Sequence, residues 1–397
     1  MAMDDTSAAE GETDEEPDLA RLERAAPAAV PDEAPSARAL ADPPGTVSEH
    51  ELAEAETRFD GTEPPVPWPG TRDIVVVGGS GGAFEALREL LGVLPADFPA
   101  AVFVVLHAPP GHESLGPQLL KRHCALALRT ARDGVPIEPG VVTFASPDAH
   151  LLLGACHVHL RRGPRENHFR PAVDPLFRSA AVYHGSRAIG VVLSGAMDDG
   201  AAGARALDRV GARVLVQSPG SAGFADMPEA AAALVPRAEA LDPSGLAARL
   251  RRLVGPDPAV PVPAPVPAPF DVRLELQVAT LENATMATEH RLGSLTPFNC
   301  PDCNGVLWRI DDGGFVRFRC HTGHAYTRRT LDDVQERALE RTLFDTLRAH
   351  RGRAHLLHTM AEDADDERRR HLYAERAASY EEDAATLERL IRRREEA

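Results

Sequence analysis

The rhythm of apolar and polar positions changes several times along this chain. Between residues 73 and 253, short apolar runs recur at Ile74–Val77, Ala101–Leu106, Val141–Phe144, Ile189–Leu193 and Arg213–Val216. Strands buried on both faces carry such β-branched runs. Between them, Ala83–Leu94, Ser114–Arg122 and Gly200–Val210 repeat apolar residues every three or four positions, the spacing of a one-faced helix. Strands alternating with helices predict an α/β domain over 71–254, a doubly wound parallel sheet of ordinary single-domain size. One stretch, "HVHLRRG" (157–163), alternates instead and reads as a strand of an antiparallel hairpin.

After this domain the pattern stops at "GPDPAVPVPAPVPAPF", residues 255–270. Proline at nearly every second position blocks helix and central strand and imposes an extended, semi-rigid linker. Residues 271–327 form a small Cys/His module. From 328 to 397 helical spacing returns, with Leu331, Val334, Ala338, Leu339, Leu343, Leu347, Ala354, Leu357 and Met360 on one stripe. A second stripe, Leu372, Tyr380, Ala384, Leu387 and Ile391, follows the polar break "EDADDE". Two amphipathic helices folded as a hairpin fit this pattern.

Residues 1–70 hold eighteen Asp and Glu against four Arg, so most of the net charge of −17 sits there. A segment so acidic and poor in large apolar residues predicts a disordered tail. The charge also excludes nucleic acid as the main partner, because phosphate binding needs a basic footprint. The N-terminus has no apolar core for a signal peptide, and no run reaches the roughly 18 apolar residues of a membrane-spanning helix. The expectation is a cytoplasmic protein with no direct membrane insertion. Five cysteines at uneven spacing point to metal or redox chemistry there rather than a disulfide framework.

The glycine turn after the first run, Gly78-Gly79-Ser80-Gly81-Gly82, carries the first candidate chemistry. It fails the dinucleotide fingerprint, because Phe84 fills the third glycine position, and it lacks the Gly-Lys-Ser/Thr of a phosphate loop. It does fit G-x-S-x-G between strand and helix, the setting of an exposed nucleophilic serine. The Gly81 amide would then face developing negative charge from a helix N-terminus. The next strand ends at His107, and a later one ends before Asp198 and Asp199. Ser, His and Asp thus follow three buried strands on one edge of one sheet, where open α/β sheets bind ligands. Their chain order, Ser-His-Asp, is not that of the α/β-hydrolases.

The stretches "VVVGGSGGAFEAL", "VVLHAPPG", "FRPAVDPLFRSAA", "GVVLSGAMDDGAAGARAL" and "VQSPGSAGFADMPEAA" resemble, in order, the catalytic domain of CheB-type chemoreceptor glutamate methylesterases. The resemblance implies a catalytic triad of Ser80, His107 and Asp199, the last chosen over Asp198 by its place in Asp-Gly-Ala-Ala-Gly. It also implies an oxyanion contact from the backbone around Ala196. Two positions depart from the family pattern: Gly81 stands where Thr usually follows the nucleophile, and Gly195-Ala196-Met197 replaces Gly-Met-Gly. The resembling enzymes usually carry a receiver domain, which the acidic 70 residues cannot supply, so a standalone form is expected.

The last candidate lies in "FNCPDCNGVLWRIDDGGFVRFRCHTGHAY". Cys300, Cys303, Cys320 and His324, spaced C-x2-C-x16-C-x3-H, suit a closed tetrahedral zinc site of structural type. His321 competes as fourth ligand, and a metal-free redox pair is the alternative. Short ribbons of this kind resemble C-terminal extensions of some standalone CheB-like proteins. Cys124 and Cys156 read as buried apolar residues. Together these readings predict a serine hydrolase that demethylates glutamate esters, with glutamine deamidation as a companion activity, on receptor-like signalling proteins. No cofactor is needed for that chemistry. A non-catalytic signalling adaptor on the same fold is the alternative.

Overall fold

The structure is a computed structural model that describes residues 70–107, 116–254, 261–280 and 293–395. The acidic stretch up to residue 69, the loop with Pro109 and Pro110, the start of the Ser114–Arg122 pattern and residues 255–260 lie outside the described residues.

Seven parallel strands form the main sheet in the order β3-β4-β2-β1-β7-β8-β9. They are β1 (Ile74–Gly79), β2 (Ala101–Leu106), β3 (Ala127–Thr130), β4 (Val141–Phe144), β7 (Ala188–Val192), β8 (Arg213–Gln217) and β9 (Glu239–Leu241). A separate antiparallel hairpin joins β5 (His150–Leu153) to β6 (Val158–Arg161), where the sequence predicts one. Helices α1 (Ala83–Gly92), α2 (Gly116–Leu120), α3 (Val173–His184), α4 (Ala201–Arg209), α5 (Asp226–Leu234) and α6 (Pro243–Leu253) complete the layer structure.

Each central strand is buried on both faces, which is why it reads as a continuous apolar run. Val76 faces a core with Phe103, Leu176, Phe177 and Leu207, while Val75 and Val77 face Leu87, Leu90, Leu246 and Leu250 on the other side. The sheet is therefore doubly wound. Chain order reverses at β1, which lies between β2 and β7. The three candidate triad residues all leave the carboxyl ends of these three neighbouring strands.

Beyond the sheet, α7 (Phe270–Thr280) leads to an antiparallel sheet of β10 (Ser294–Asn299), β11 (Val306–Asp312), β12 (Phe315–Cys320) and β13 (Ala325–Thr327). Two long helices follow, α8 (Arg328–Glu362) and α9 (Glu367–Glu395), joined through Leu347, Ala384, Ile391, Leu343 and Leu387. Leu339 and Leu372, read as part of the apolar stripes, are half exposed instead, at 48% and 50%.

The described part of the proline segment does not hang free. Ser186 Oγ donates to Pro263 O at 2.7 Å, and Ala268 and Val272 enter the core of the α/β domain. Helix α7, placed by the sequence in the Cys/His module, packs on α3. A buried ion cluster then joins the small sheet to both. Glu275 of α7 takes a two-pronged bond from Arg317 at 2.6 and 2.6 Å and a third from Arg319 at 3.0 Å. Arg319 also reaches Glu166 at 3.1 Å, and Arg178 of α3 pairs with Glu166. Burial raises the Glu275 carboxyl, but Arg317, Arg178 and Arg319 outweigh it and hold it well below the ordinary range. Arg205 to Asp312 at 2.8 Å and Arg329 to Asp226 at 3.0 Å add two further ties.

Candidate active site and metal cluster

Ser80 follows β1 at the sheet's switch point, held there by its backbone N–H, which donates a hydrogen bond to Ser194 O at 2.9 Å. The sharp exit from β1 depends on glycine at two places. A Cβ on Gly78 would sit 2.2 Å from Val173 Cγ1, so α3 approaches the strand only because none is there. Gly82 has φ +75°, a left-handed turn that L side chains resist, and it caps α1. Ser194 clips this turn to the 224 loop: its hydroxyl donates to Gly81 O at 2.7 Å and accepts from Phe224 N at 2.9 Å.

His107 and Asp199 are joined, Nε2 to Oδ2, at 2.8 Å. An ionised carboxylate only accepts, so Nε2 carries the proton and Nδ1 the lone pair. Nδ1 is buried and has no hydrogen-bond partner among the described residues. The imidazole also stacks flat on Phe169, with ring centroids 3.6 Å apart and 8° between planes. No hydrogen bond links Ser80 to His107 among the described residues. Such bonds are often long before substrate binds.

Asp199 is fully surrounded. Besides His107, its carboxylate accepts from Val173 N at 2.6 Å, Asp174 N at 3.2 Å and Asn167 Nδ2 at 2.9 Å. Val173 and Asp174 open α3, whose N-cap, Ala172, has no side chain to bond the first amides. Asp199 caps that helix from the loop after β7 and gains the positive end of its dipole. Burial raises its carboxyl, yet the bonds from His107, Val173 and Asn167 hold it below the usual range. Asp174, beside it, is pushed up to about 7 by burial and by Asp199. Asn167 bridges the two, donating to Asp174 Oδ2 at 2.8 Å as well. Asp198 points elsewhere: it is buried, accepts from Thr327 Oγ1 at 2.8 Å, and is raised by burial to about 6.

The two expected oxyanion positions, Gly81 and Ala196, are both exposed, and neither amide is bonded to another group among the described residues. Phe224, 53% exposed, lies over Gly81 and gives the opening an apolar rim. Asn167, Phe169, the α3 amides, Ser194 and Phe224 escape the sequence reading of the site. Phe169, Ser194 and Phe224 lie within the stretches that carry the resemblance, which is the one signal the sequence offers for them.

Cys300, Cys303, Cys320 and His324 lie together, with all donor atoms within 4.8 Å of one another. Cys303 Sγ and Cys320 Sγ are 3.6 Å apart, and His324 Nδ1 is 3.5 Å from Cys320 Sγ and 3.7 Å from Cys300 Sγ. A tetrahedral zinc with bonds of ~2.3 Å to sulfur and ~2.0 Å to nitrogen has edges of about 3.5–3.8 Å, so the donor set fits. Tyr326 supports it from outside, bonded to Cys300 Sγ at 3.2 Å and to Asp302 at 2.7 Å. His321 is exposed and stands outside the cluster, which leaves His324 as the fourth donor. Cys124 and Cys156 form no disulfide among the described residues and are half-buried, not fully buried as the sequence predicts. Among the described residues no helix is long and apolar enough to cross a membrane.

Comparison with known proteins bears on the α/β domain. The family described as CheB methylesterase matches residues 75–250. Protein-glutamate methylesterase/protein-glutamine glutaminase 5 of Myxococcus xanthus is 39% identical over 199 residues, 49% of this chain and 57% of that protein. The enzyme of the same name from Anaeromyxobacter dehalogenans is 43% identical over 165 residues, 41% of this chain and 45% of its own. This chain spans about half the length of the curated relatives it matches. Among solved structures, the CheB methylesterase catalytic domain of Thermotoga maritima is 31% identical, with 46% of this chain and 100% of that one covered at a TM-score of 0.45. Residues 75–250 of this chain thus match the CheB methylesterase family, and the relatives they align with are protein-glutamate methylesterase/protein-glutamine glutaminases.

Proposed function

We propose that the chain is a serine hydrolase that removes methyl esters from glutamate side chains of receptor or receptor-like signalling proteins. The observation that carries this reading is the His107–Asp199 pair, whose remaining nitrogen has no partner among the described residues and lies at the strand end next to that of Ser80. Ser80 Oγ attacks the ester carbonyl while His107 Nδ1 takes its proton. Asp199 keeps the proton on Nε2 and stabilises the imidazolium that forms. The Gly81 and Ala196 amides face the oxyanion. His107 then delivers its proton to the departing methanol, and water, activated by the same nitrogen, releases the glutamate. Glutamine follows the same path with ammonia leaving, in line with the double name of the relatives.

The exposed position of Gly81, Ala196 and Phe224 suits a side chain presented on a protein surface better than a small molecule to be enclosed. At the Cys/His cluster, zinc bound by Cys300, Cys303, Cys320 and His324 would supply a structural cross-link and take no part in ester cleavage. Reduced thiols there suit a cytoplasmic setting.

A fluorophosphonate probe tests the nucleophile. Labelling of the wild type at Ser80, lost in Ser80→Ala, supports the hydrolase. A protein that binds a methylated receptor fragment but takes no label is an adaptor instead.

A further inference from the structure

We propose that the Cys/His cluster anchors a brace that positions Asp199, with Asn167 and Thr327 as the two points of contact between the small sheet and the triad. The inference rests on the hydrolase reading above. Two of the four metal donors, Cys320 and His324, flank the turn between β12 and β13. That turn is tight, with Cys320 N bonded to His324 O at 3.0 Å and Gly323 N to Cys320 O at 2.8 Å. The residue after His324, Ala325, pairs with the 165–167 segment in a parallel bridge. Asn167 N donates to Ala325 O at 2.8 Å, and Ala325 N donates to Arg165 O at 3.3 Å. From that backbone seat the Asn167 side chain reaches Asp199 Oδ1. At the other end of β13, Thr327 Oγ1 donates to Asp198 and accepts from Thr330 N at 3.1 Å, so one hydroxyl caps α8 and fixes the residue preceding Asp199.

The path from metal donor to triad carboxylate is therefore short and made of hydrogen bonds throughout. It also needs the metal. Among the described residues the apolar cluster inside the small sheet is small, and two of its members, Cys300 and Cys320, are donors themselves. A sheet of this size does not hold its shape on apolar burial alone, and metal binding supplies folding free energy to such units. Asn167 has a second task that makes its seat matter. It sits between two carboxylates, and without its amide Asp174 and Asp199 face each other directly. Small displacements of a triad member are costly in rate.

The test uses the full chain, zinc-loaded and then stripped with a chelator, followed by hydrogen exchange and by ester turnover. Metal removal should speed exchange in peptides covering 165–175, which contain the Asn167, Val173 and Asp174 amides, and leave β4 unchanged. Zinc should restore both exchange and turnover. In parallel kcat should fall by at least about tenfold while KM moves far less, the signature of lost positioning. Exchange gains confined to 294–327, with kcat retained, would overturn the brace. If exchange rises everywhere, zinc-loaded Asn167→Ala decides. A comparable kcat loss at unchanged zinc content and melting supports the brace, and unchanged kcat sinks it. A wild type that is inert towards esters refutes the hydrolase reading alone, because the exchange comparison still judges the brace.

Discussion

Glu275 is where the small sheet and the α/β domain are held together, so its removal should unsettle both. Its carboxylate is 2% exposed and meets Arg317 through both nitrogens, Arg319 at 3.0 Å and Arg178 at 3.4 Å. Glu275→Ala leaves Arg178 and Arg319 with Glu166 as their remaining carboxylate, and Arg317 with Asp312 at 3.9 Å. Breaking a buried ion pair from one side costs about 3–5 kcal/mol, which at roughly 2–3 °C per kcal/mol for a chain of this size is a Tm drop of roughly 6–15 °C. Trp308 in β11 and far-UV circular dichroism report the two regions, with Trp68→Phe as background so that Trp308 is the sole indole. Both signals should shift together. The sign of the pH dependence follows from the depressed Glu275 carboxyl: its contribution is full above the ordinary glutamate value of 4.5 and is lost as pH falls below it. The gap between wild type and variant should therefore narrow in acid. A drop under about 2 °C, or a Trp308 transition that shifts while the rest stays put, would refute the welded arrangement.

Three further outcomes follow from the site. Asp199→Asn, which cannot hold His107 in the right tautomer, should lower kcat by about 10⁴, whereas Asp198→Asn, still an acceptor for Thr327, should stay within about tenfold in a steady-state assay. Asp174 is raised to about 7, so it stabilises the fold below its unfolded value of 3.8 and loses that contribution as pH rises through 7; Asp174→Asn should flatten the stability profile between these limits in denaturant titrations. In Gly195→Ala the new Cβ would lie 2.1 Å from Met227 Sδ and 2.9 Å from Ser80 Cβ. It should cost about 1–3 kcal/mol and slow probe labelling, and adding Met227→Ala should recover part of the stability.

What the sequence discloses about this fold depends on where each element is buried. Strands β1, β2, β4, β7 and β8 are central, carry largely apolar runs and are legible. The edge strands β3 ("ALRT") and β9 ("EAL") have no such run, because an edge strand needs none. Helix α7 is hidden for the opposite reason. Val272, Leu274, Glu275, Leu276, Val278 and Ala279 are all buried, so it shows no one-sided stripe, and the neighbouring prolines suggest a boundary that its packing on α3 crosses. At the site, Ser80 and His107 stand out because each directly follows a strand, and Asp199 through its place in Asp-Gly-Ala-Ala-Gly in the loop after β7. Asn167 does not, since its role comes from a loop paired to β13 across a separation of some 160 residues that no local pattern records. The same limit applies to the ties between the small sheet and the domain, where Arg317 and Arg319 meet Glu275 and Glu166 across 42 to 153 residues of chain.

The decisive measurement is methanol release from a receptor fragment carrying glutamate methyl esters. Purified zinc-loaded wild type should release methanol in proportion to esters lost, and Ser80→Ala should release none above the uncatalysed rate while binding the fragment as well as wild type does. Equal release by wild type and Ser80→Ala, or none by wild type under conditions where the fragment binds, would contradict the proposed hydrolysis at Ser80.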